Sequence, residues 1–266
     1  MISLQYYGLM NLYEAIFTRK TVKKFQNDIP DPAENALIQK HFDDIPGLFG
    51  NIHTEIRILN DSDKVRNPLS LSGIRAPQYI VFYSEKAARY QMNAGFLMQH
   101  MALYLCTLEI GSCSLDVSVL RKEYRQTQTG KEAVGVLGFG KSKGAYLSKR
   151  GDVSRLPLEE LCVFKEIPRQ WVRQLLEAAR QAPSAGNAQP WRFVVYDNRI
   201  HIFTKKHQVE RFAHYTAEEQ NFGGMLANIQ ITAEELWLDV DLIRLENISQ
   251  KNFPNNHYVL SAIMRS

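Results

Sequence analysis

Cysteine is scarce, with three residues in 266, Cys106, Cys113 and Cys162. They cannot all pair and none lies in a CxxC, which excludes a disulfide-stapled scaffold and suits core thiols in a reducing compartment. The seven histidines (His41, His53, His100, His201, His207, His214, His257) show no HExxH or paired-ligand spacing, so no metal is expected. A long apolar run is missing too: the most apolar stretch, Phe96 to Ile110, is interrupted by Gln99, His100 and Glu109. It falls short of about 18 uncharged residues and predicts a buried helix, with no membrane partner. Met1 to Asn11 has no basic flank, apolar h-region or small-residue cleavage site, so a cytoplasmic location is expected. Nor is there a strong excess of one charge. Thirty-two Lys and Arg against 28 Asp and Glu give +4, too mild for a face that grips nucleic acid. An anionic partner would be small and met locally.

What is present is a composition 45% hydrophobic, 23% charged and 11% aromatic, enough for a sizeable core. The length allows one large domain or two packed halves. Internal similarity favours the halves. Ile29-Pro30 precedes a helix opened by Asp31, Pro32 and Glu34, with Asp as cap, Pro at the first helical position and Glu completing a capping box. Ile167-Pro168 precedes a helix whose Val172, Leu175, Leu176 and Ala179 form an amphipathic stripe. Ile29 to Ile167 and Leu37 to Leu175 are each 138 apart (167 less 29, 175 less 37). Strand candidates follow at Glu55 to Leu59 and Arg192 to Tyr196, closed by Asn60-Asp61 and Asp197-Asn198 turns. Further on, Leu108 to Val117 and Ile231 to Val240 both end in Leu-Asp-Val and enter β-rich sequence. No low-complexity linker intervenes, and the join is the basic segment Gly140 to Arg155. The expectation is an α+β protein of two related halves, 1–150 and 151–266, packed as one unit.

Two segments that each occur in one copy carry the chemistry. Arg19-Lys20-Thr21-Val22-Lys23-Lys24-Phe25, after the apolar run Leu12 to Phe17, offers four cations and a hydroxyl, the donors a phosphate dianion needs. Taken alone it also fits a solvated helix end. Ala182-Pro183-Ser184-Ala185-Gly186-Asn187-Ala188-Gln189-Pro190-Trp191 has two prolines that fix the backbone, small residues that admit a planar ligand, and two amides. That is more specific than turn chemistry requires.

Gly135 to Ser142 satisfies the G-x4-G-K-[ST] phosphate-loop pattern, yet Val134 to Phe139 is itself a strand candidate and Gly-broken cationic sequence follows. Ser184 lacks the first glycine of a nucleophile elbow, and Cys113 is flanked by apolar residues as a core cysteine would be.

With these motifs the chain resembles the FMN-dependent nitroreductase superfamily. Arg19 to Phe25 is similar to its Arg-Arg-Ser-Val-Arg-x-Phe-like motif, and Ala182 to Trp191 to its Ala-Pro-Ser-x-x-Asn-x-Gln-Pro-Trp motif. A helix Leu97 to Gly111 running into Ser112-Cys113, and a strand Ala133 to Phe139, resemble later family elements. Ordinary members carry both motifs in one subunit and form homodimers with two sites. Here copy one has Ile45 to Asn51 at the loop position, with Gly50-Asn51 as a relic, and copy two has Leu156 to Val163, with Glu159 and Glu160, at the basic position. The resemblance therefore implies a nitroreductase-like fold fused in tandem: an intramolecular pseudo-dimer, central sheets flanked by helices, one site kept and its mate erased. It also implies a monomer of pseudo-two-fold symmetry, with further association left open.

By resemblance, FMN would be held by Arg19, Lys20, Thr21 and Lys23 from the first half and Pro183, Ser184, Ala185, Asn187 and Gln189 from the second. Lys23 would be catalytic, a cation near the flavin N1/O2 edge where charge develops on reduction. A second phosphate cation would come from Lys141, Lys143, Lys149, Arg150 and Arg155, with Lys149 or Arg150 the choice. The implied activity is ping-pong hydride transfer from NADH or NADPH to a small acceptor, a nitroaromatic or quinone. The alternatives are a flavin-binding protein without turnover, a sensor or store, and a phosphate-loop nucleotide binder.

Overall fold

The computed structural model describes residues 10–28, 31–63, 65–67, 69, 72–148, 154–205 and 212–265. Helix α1 (Leu12–Thr18) opens on an Asn11 capping box with Glu14. Helix α2 (Pro32–Asp44) opens as its sequence predicts, with Asp31 accepting from Ala33 N and Glu34 reaching back to Asp31 N. Ile29-Pro30 lies outside the described residues. There follow β1 (Thr54–Asn60), β2 (Gln78–Ser84), α3 (Tyr90–Thr107), β3 (Gly111–Leu115) and β4 (Glu132–Gly140). After the join come α4 (Leu158–Leu161) and β5 (Cys162–Phe164), then α5 (Gln170–Arg180), β6 (Trp191–Val195), β7 (Arg199–Lys205), α6 (Phe212–Glu235), β8 (Asp239–Ile243), α7 (Glu246–Ser249) and β9 (Asn256–Arg265).

The two halves share one plan down to the register. One sheet runs β1-β2-β4-β3 and the other β5-β6-β7-β9-β8, so once β5 is set aside the orders match and every remaining pairing is antiparallel. In the first sheet, Phe82 pairs with Gly135 and Tyr83 with Ala133, skipping Val134. In the second, Ile202 pairs with Leu260 and Phe203 with Tyr258, skipping Val259. A bulge kept at one place in two ladders is a designed feature of a strand pair and marks the duplication more firmly than residue identity does.

The halves meet along α3 and α6. Helix α3 is buried on nearly every side, as a helix at the centre of a molecule should be. A Cβ on Gly95 would fall into the backbone of Gln220, 2.6 Å from its Cα, and one on Gly223 would fall against Met92 O and 2.6 Å from Phe96 N. Met92 precedes Gly95 by three residues, and Gln220 precedes Gly223 by three. Each glycine thus receives the counterpart of the residue its own helix presents, which is the self-complementary pattern of a two-fold dimer interface within one chain. Val172, Leu175, Leu176 and Ala179 of α5 are all fully buried, as their spacing predicts.

Two sequence alignments are corrected. Leu115-Asp116-Val117 lies at the end of β3, whereas Leu238-Asp239-Val240 lies at the start of β8, so these tripeptides are not equivalent positions. The expected helix Leu97 to Gly111 also stops at Thr107, and Gly111-Ser112-Cys113 already belongs to β3.

Candidate functional site

Residues 19–25 leave α1 as an extended ribbon. Arg19 caps the helix in extended backbone, Thr21 bridges Ser112 on edge strand β3, and Val22 N donates to Ser112 O at 3.0 Å. The other edge of the ribbon meets residues 141–148: Gln26 N donates to Lys141 O (2.8 Å), Lys143 N to Lys24 O (3.0 Å), Lys20 N to Tyr146 O (3.3 Å) and Ser148 N to Thr18 O (2.7 Å). Val22 and Phe25 are buried while Thr21, Lys23 and Lys24 are exposed, as are Lys141 and Lys143. The two cationic segments of the sequence are therefore neighbours. Among the described residues none of these lysines, nor Lys20, has an ion-pair partner.

Exposed ammonium groups are readily hydrated, but Arg19 is differently placed. Part of its surface is open, yet protein packs around its charged end, and burial lowers its pKa, offset by Cys106 and Cys113 nearby. Both thiols are themselves pushed up by burial, Cys106 to about 11, and so stay neutral. The Arg19 side chain makes no ion pair with a described residue and donates it no hydrogen bond. A packed guanidinium with five donors and no acceptor among the described residues is a place for an anion.

The second segment folds into a braced loop at the end of α5. Gly186, Asn187 and Gln189 have φ of 59°, 56° and 46°, left-handed on either side of a right-handed Ala188, a conformation that costs a non-glycine residue roughly 1–2 kcal/mol. Hydrogen bonds hold it. Gln189 N donates to Ser184 Oγ (3.0 Å), Leu156 N to Gln189 Oε1 (2.8 Å), Gln189 Nε2 to Asn187 O (3.3 Å) and Ala185 N to Asn221 Oδ1 (3.1 Å). Gln189, expected to face a ligand, is 4% exposed with both ends of its amide engaged, and it serves here as the brace of the loop. Ala185, Gly186 and Asn187 are exposed.

Asn187 is joined to the segment between the halves. Its Oδ1 accepts from an Arg155 guanidinium nitrogen at 2.6 Å, and its Nδ2 donates to Ser154 O at 3.0 Å. Arg155 also donates to Gln181 O at 3.0 Å and leaves its buried Nε without a partner. Burial lowers the Arg155 pKa first, and the charges of Arg19 and then Arg180 lower it further, so Arg19 stands within electrostatic reach of the loop. The packing explains this convergence. Ala15 and Ile16 of α1 share a buried cluster with Ala178 of α5, and the chain leaves that cluster within a few residues as Arg19 in one case and Pro183 in the other.

Of the expected residues, then, Asn187 is bonded to Arg155, and Arg19 stands within electrostatic reach of that arginine. Lys20, Thr21 and Lys23 lie along the ribbon, with Lys23 near the Cys113 thiol. Lys149 and Arg150 lie outside the described residues. Arg155 was one of a cationic group in the sequence, but no spacing rule links it to Asn187.

The counterpart of the loop in the first half is recognisable. Phe49 N donates to Asn93 Oδ1 at 3.2 Å as Ala185 N does to Asn221 Oδ1, and Gly50-Asn51 and Gly186-Asn187 follow directly. The basic position in copy two is corrected: Cys162–Phe164 is β5, parallel to β6, whereas Thr21 lies beside β3 at the opposite edge of the plan. The phosphate-loop pattern fails because Gly135 to Gly140 is strand β4, with Gly135 paired to Phe82 and packed beneath Met98. A cavity of about 420 Å³ lies away from the Arg19–Asn187 region, lined by Glu159, Glu160, Arg192, Phe203, Lys205 and Phe253 among others. Among the described residues no group of His, Cys, Asp and Glu could hold a metal, and no helix is long and apolar enough to cross a membrane.

Comparison with known proteins agrees with this architecture. The family model described as "Putative TM nitroreductase" matches residues 11–220. A solved structure described as a "putative nitroreductase" of Thermotoga maritima is 17% identical, with a TM-score of 0.60, 99% of this chain and 99% of that chain covered. An FMN-dependent nitroreductase of Clostridium difficile (17% identity, TM-score 0.43) covers 52% of this chain and 92% of its own. A nitroreductase with bound FMN from Desulfitobacterium hafniense (14% identity, TM-score 0.44) covers 56% of this chain and 100% of its own. No curated protein matches. With the family model spanning most of its length and its two halves folded on one plan, the chain belongs to this nitroreductase family.

Proposed function

We propose that the chain is an FMN-dependent oxidoreductase that passes reducing equivalents from NADH or NADPH to a small acceptor of the nitroaromatic or quinone type. One observation carries the reading: a packed guanidinium without an acceptor among the described residues, Arg19 of the first half, comes within electrostatic reach of Arg155, which bonds the Asn187 loop of the second. Membership of a nitroreductase family supports it. Arg19 and Thr21 would bind a terminal phosphate, and the exposed run of Ala185 and Gly186, with Pro183 and Ser184 before it, would take the flat face of the ring. Lys20 and Lys23 add positive potential along the ribbon, Lys23 toward the ring edge. When bound, FMN supplies the hydride chemistry, and the protein supplies position and field. The halves, 1–150 and 151–266, are proposed to form one site per chain in a monomeric pseudo-dimer.

The test is the visible spectrum of purified protein titrated with FMN. Saturation near one FMN per chain, bleaching by NADH or NADPH and recovery with an acceptor are the expected results. Saturation near two contradicts the one-site plan, and tight binding without bleaching leaves a flavin-binding protein. Arg19→Ala or Asn187→Ala should weaken retention about tenfold or more, the scale of one lost charge-assisted contact. Gly50→Ala and Glu159→Gln should leave it unchanged.

A further inference from the structure

Arg155 does not have the contacts of a structural brace. Among the described residues its three acceptors, Asn187 Oδ1 (2.6 Å), Gln181 O (3.0 Å) and, at a long 3.4 Å, Ser154 O, are all uncharged. Its Nε is buried without a partner. Arg180, whose charge also opposes that of Arg155, is paired with Glu177 and donates to Leu156 O at 3.4 Å. A second guanidinium without an acceptor among the described residues, Arg19, lies close enough to oppose its charge. Two half-satisfied cations within electrostatic reach of each other at the end of α5, with no described acid paired to either, are stabilised by an anion that both can reach. Such an anion offers a guanidinium a full negative charge and two oxygens at once, which a neutral amide oxygen does not. It therefore competes directly with Asn187.

We infer that Arg155 is an exchange latch joining two parts of the site: an anion entering beside Arg19, a phosphate dianion or the phosphate of a monoester, draws Arg155 away from Asn187 Oδ1 and frees that amide for the rest of the ligand. Anion arrival at one end thereby opens the loop at the other, so a ligand lacking the phosphate meets the latch closed. The inference rests on the proposed cofactor only for the identity of the natural ligand.

The experiment uses the full-length, flavin-free chain labelled with ¹⁵N and titrated with inorganic phosphate at constant ionic strength, sodium chloride being the balancing salt. The side-chain amide signals of Asn187, identified by their loss in Asn187→Asp, should move saturably with phosphate and not with chloride. In Arg155→Gln phosphate should bind about tenfold more weakly and leave those signals still. Arg155→Lys keeps the charge but loses the fork, so phosphate affinity should fall less while the Asn187 signals start in the released position. It also serves should the Gln variant fold poorly. Asn187 signals unmoved at saturating phosphate, or equal phosphate affinity in wild type and Arg155→Gln, would overturn the latch. The two proposals fail separately. Phosphate that moves Asn187 in a chain refusing FMN leaves the latch standing and removes the cofactor, and FMN binding with no phosphate effect does the reverse.

Discussion

Replacing Gly95 or Gly223 with alanine puts a methyl group into the tightest contact between the halves. On Gly95 the new carbon would lie 2.6 Å from Gln220 Cα and 2.7 Å from its carbonyl carbon, against the 3.4–4 Å of ordinary contact. The obstacle is backbone, so no rotamer change relieves it and α3 must move away from α6 by about 1 Å, roughly the deficit from normal carbon separation. Overpacking of this kind costs about 1–3 kcal/mol, and the upper figure applies where backbone must shift. Alanine returns up to about 1 kcal/mol of helix propensity, so each single variant should lose about 2 kcal/mol. Gly224 is the control. A Cβ there meets Gln99 Cβ at 3.6 Å, so Gly224→Ala should be neutral or gain up to about 1 kcal/mol. Because the two contacts belong to one crossing, separating the helices for one methyl makes room for the other, and the double variant should cost less than the sum. Urea unfolding with a shared m-value is the assay. Gly95→Ala and Gly223→Ala as stable as Gly224→Ala, or a double variant that is fully additive, would refute the reciprocal packing.

Other expectations are open to equally direct measurement. His100 is buried with Nε2 unpartnered, and burial, then the charge of His41, holds its pKa at about 3. Between that value and 6.5 the unfolded chain binds a proton that the folded chain refuses. Its contribution is therefore complete above pH 6.5 and lost as the pH falls, roughly 2–3 kcal/mol by pH 4.5 in urea unfolding; His100→Leu should flatten that part of the profile. All three thiols are buried with raised pKa, Cys106 to about 11 and Cys162 to about 12, so an aromatic disulfide reagent at pH 7.5 should leave them unmodified until the chain unfolds and then titrate three. Asn93 is buried, accepting from Phe49 N and donating to Thr54 Oγ1 at 3.2 Å; Asn93→Ala should cost about 1–3 kcal/mol in thermal or chemical unfolding by stranding both.

Local rules were legible wherever local physics decides the outcome. The Asp31-Pro32-Glu34 cap and the stripe of α5 could be read directly, because a cap and a buried face are set within a few residues. The Asn187 loop stood out for its prolines and amides. Leu-Asp-Val misled because three matching letters say nothing of which residue begins a strand; the reliable repeat was Asn-x-Gly, at Asn93–Gly95 and Asn221–Gly223, where an amide docks the loop and a glycine admits the other helix. Arg155 could not be singled out in advance, since its contact with Asn187 depends on how the join crosses the end of α5. The burial of Gln189 is likewise tertiary, set by Leu156 N meeting its oxygen.

The covalent join has a consequence for how such a site persists. In a two-chain dimer every substitution appears at both sites, and dilution separates the halves. A chain that carries α3 and α6 together holds them at an effective concentration set by the connecting segment, of millimolar order for a short one, whatever the protein concentration outside. Under the proposed one-site plan selection would then act on each half alone: the ribbon at Arg19 and the loop at Asn187 would each need to be kept once, and Gly50-Asn51 would be free to drift while still docked on Asn93.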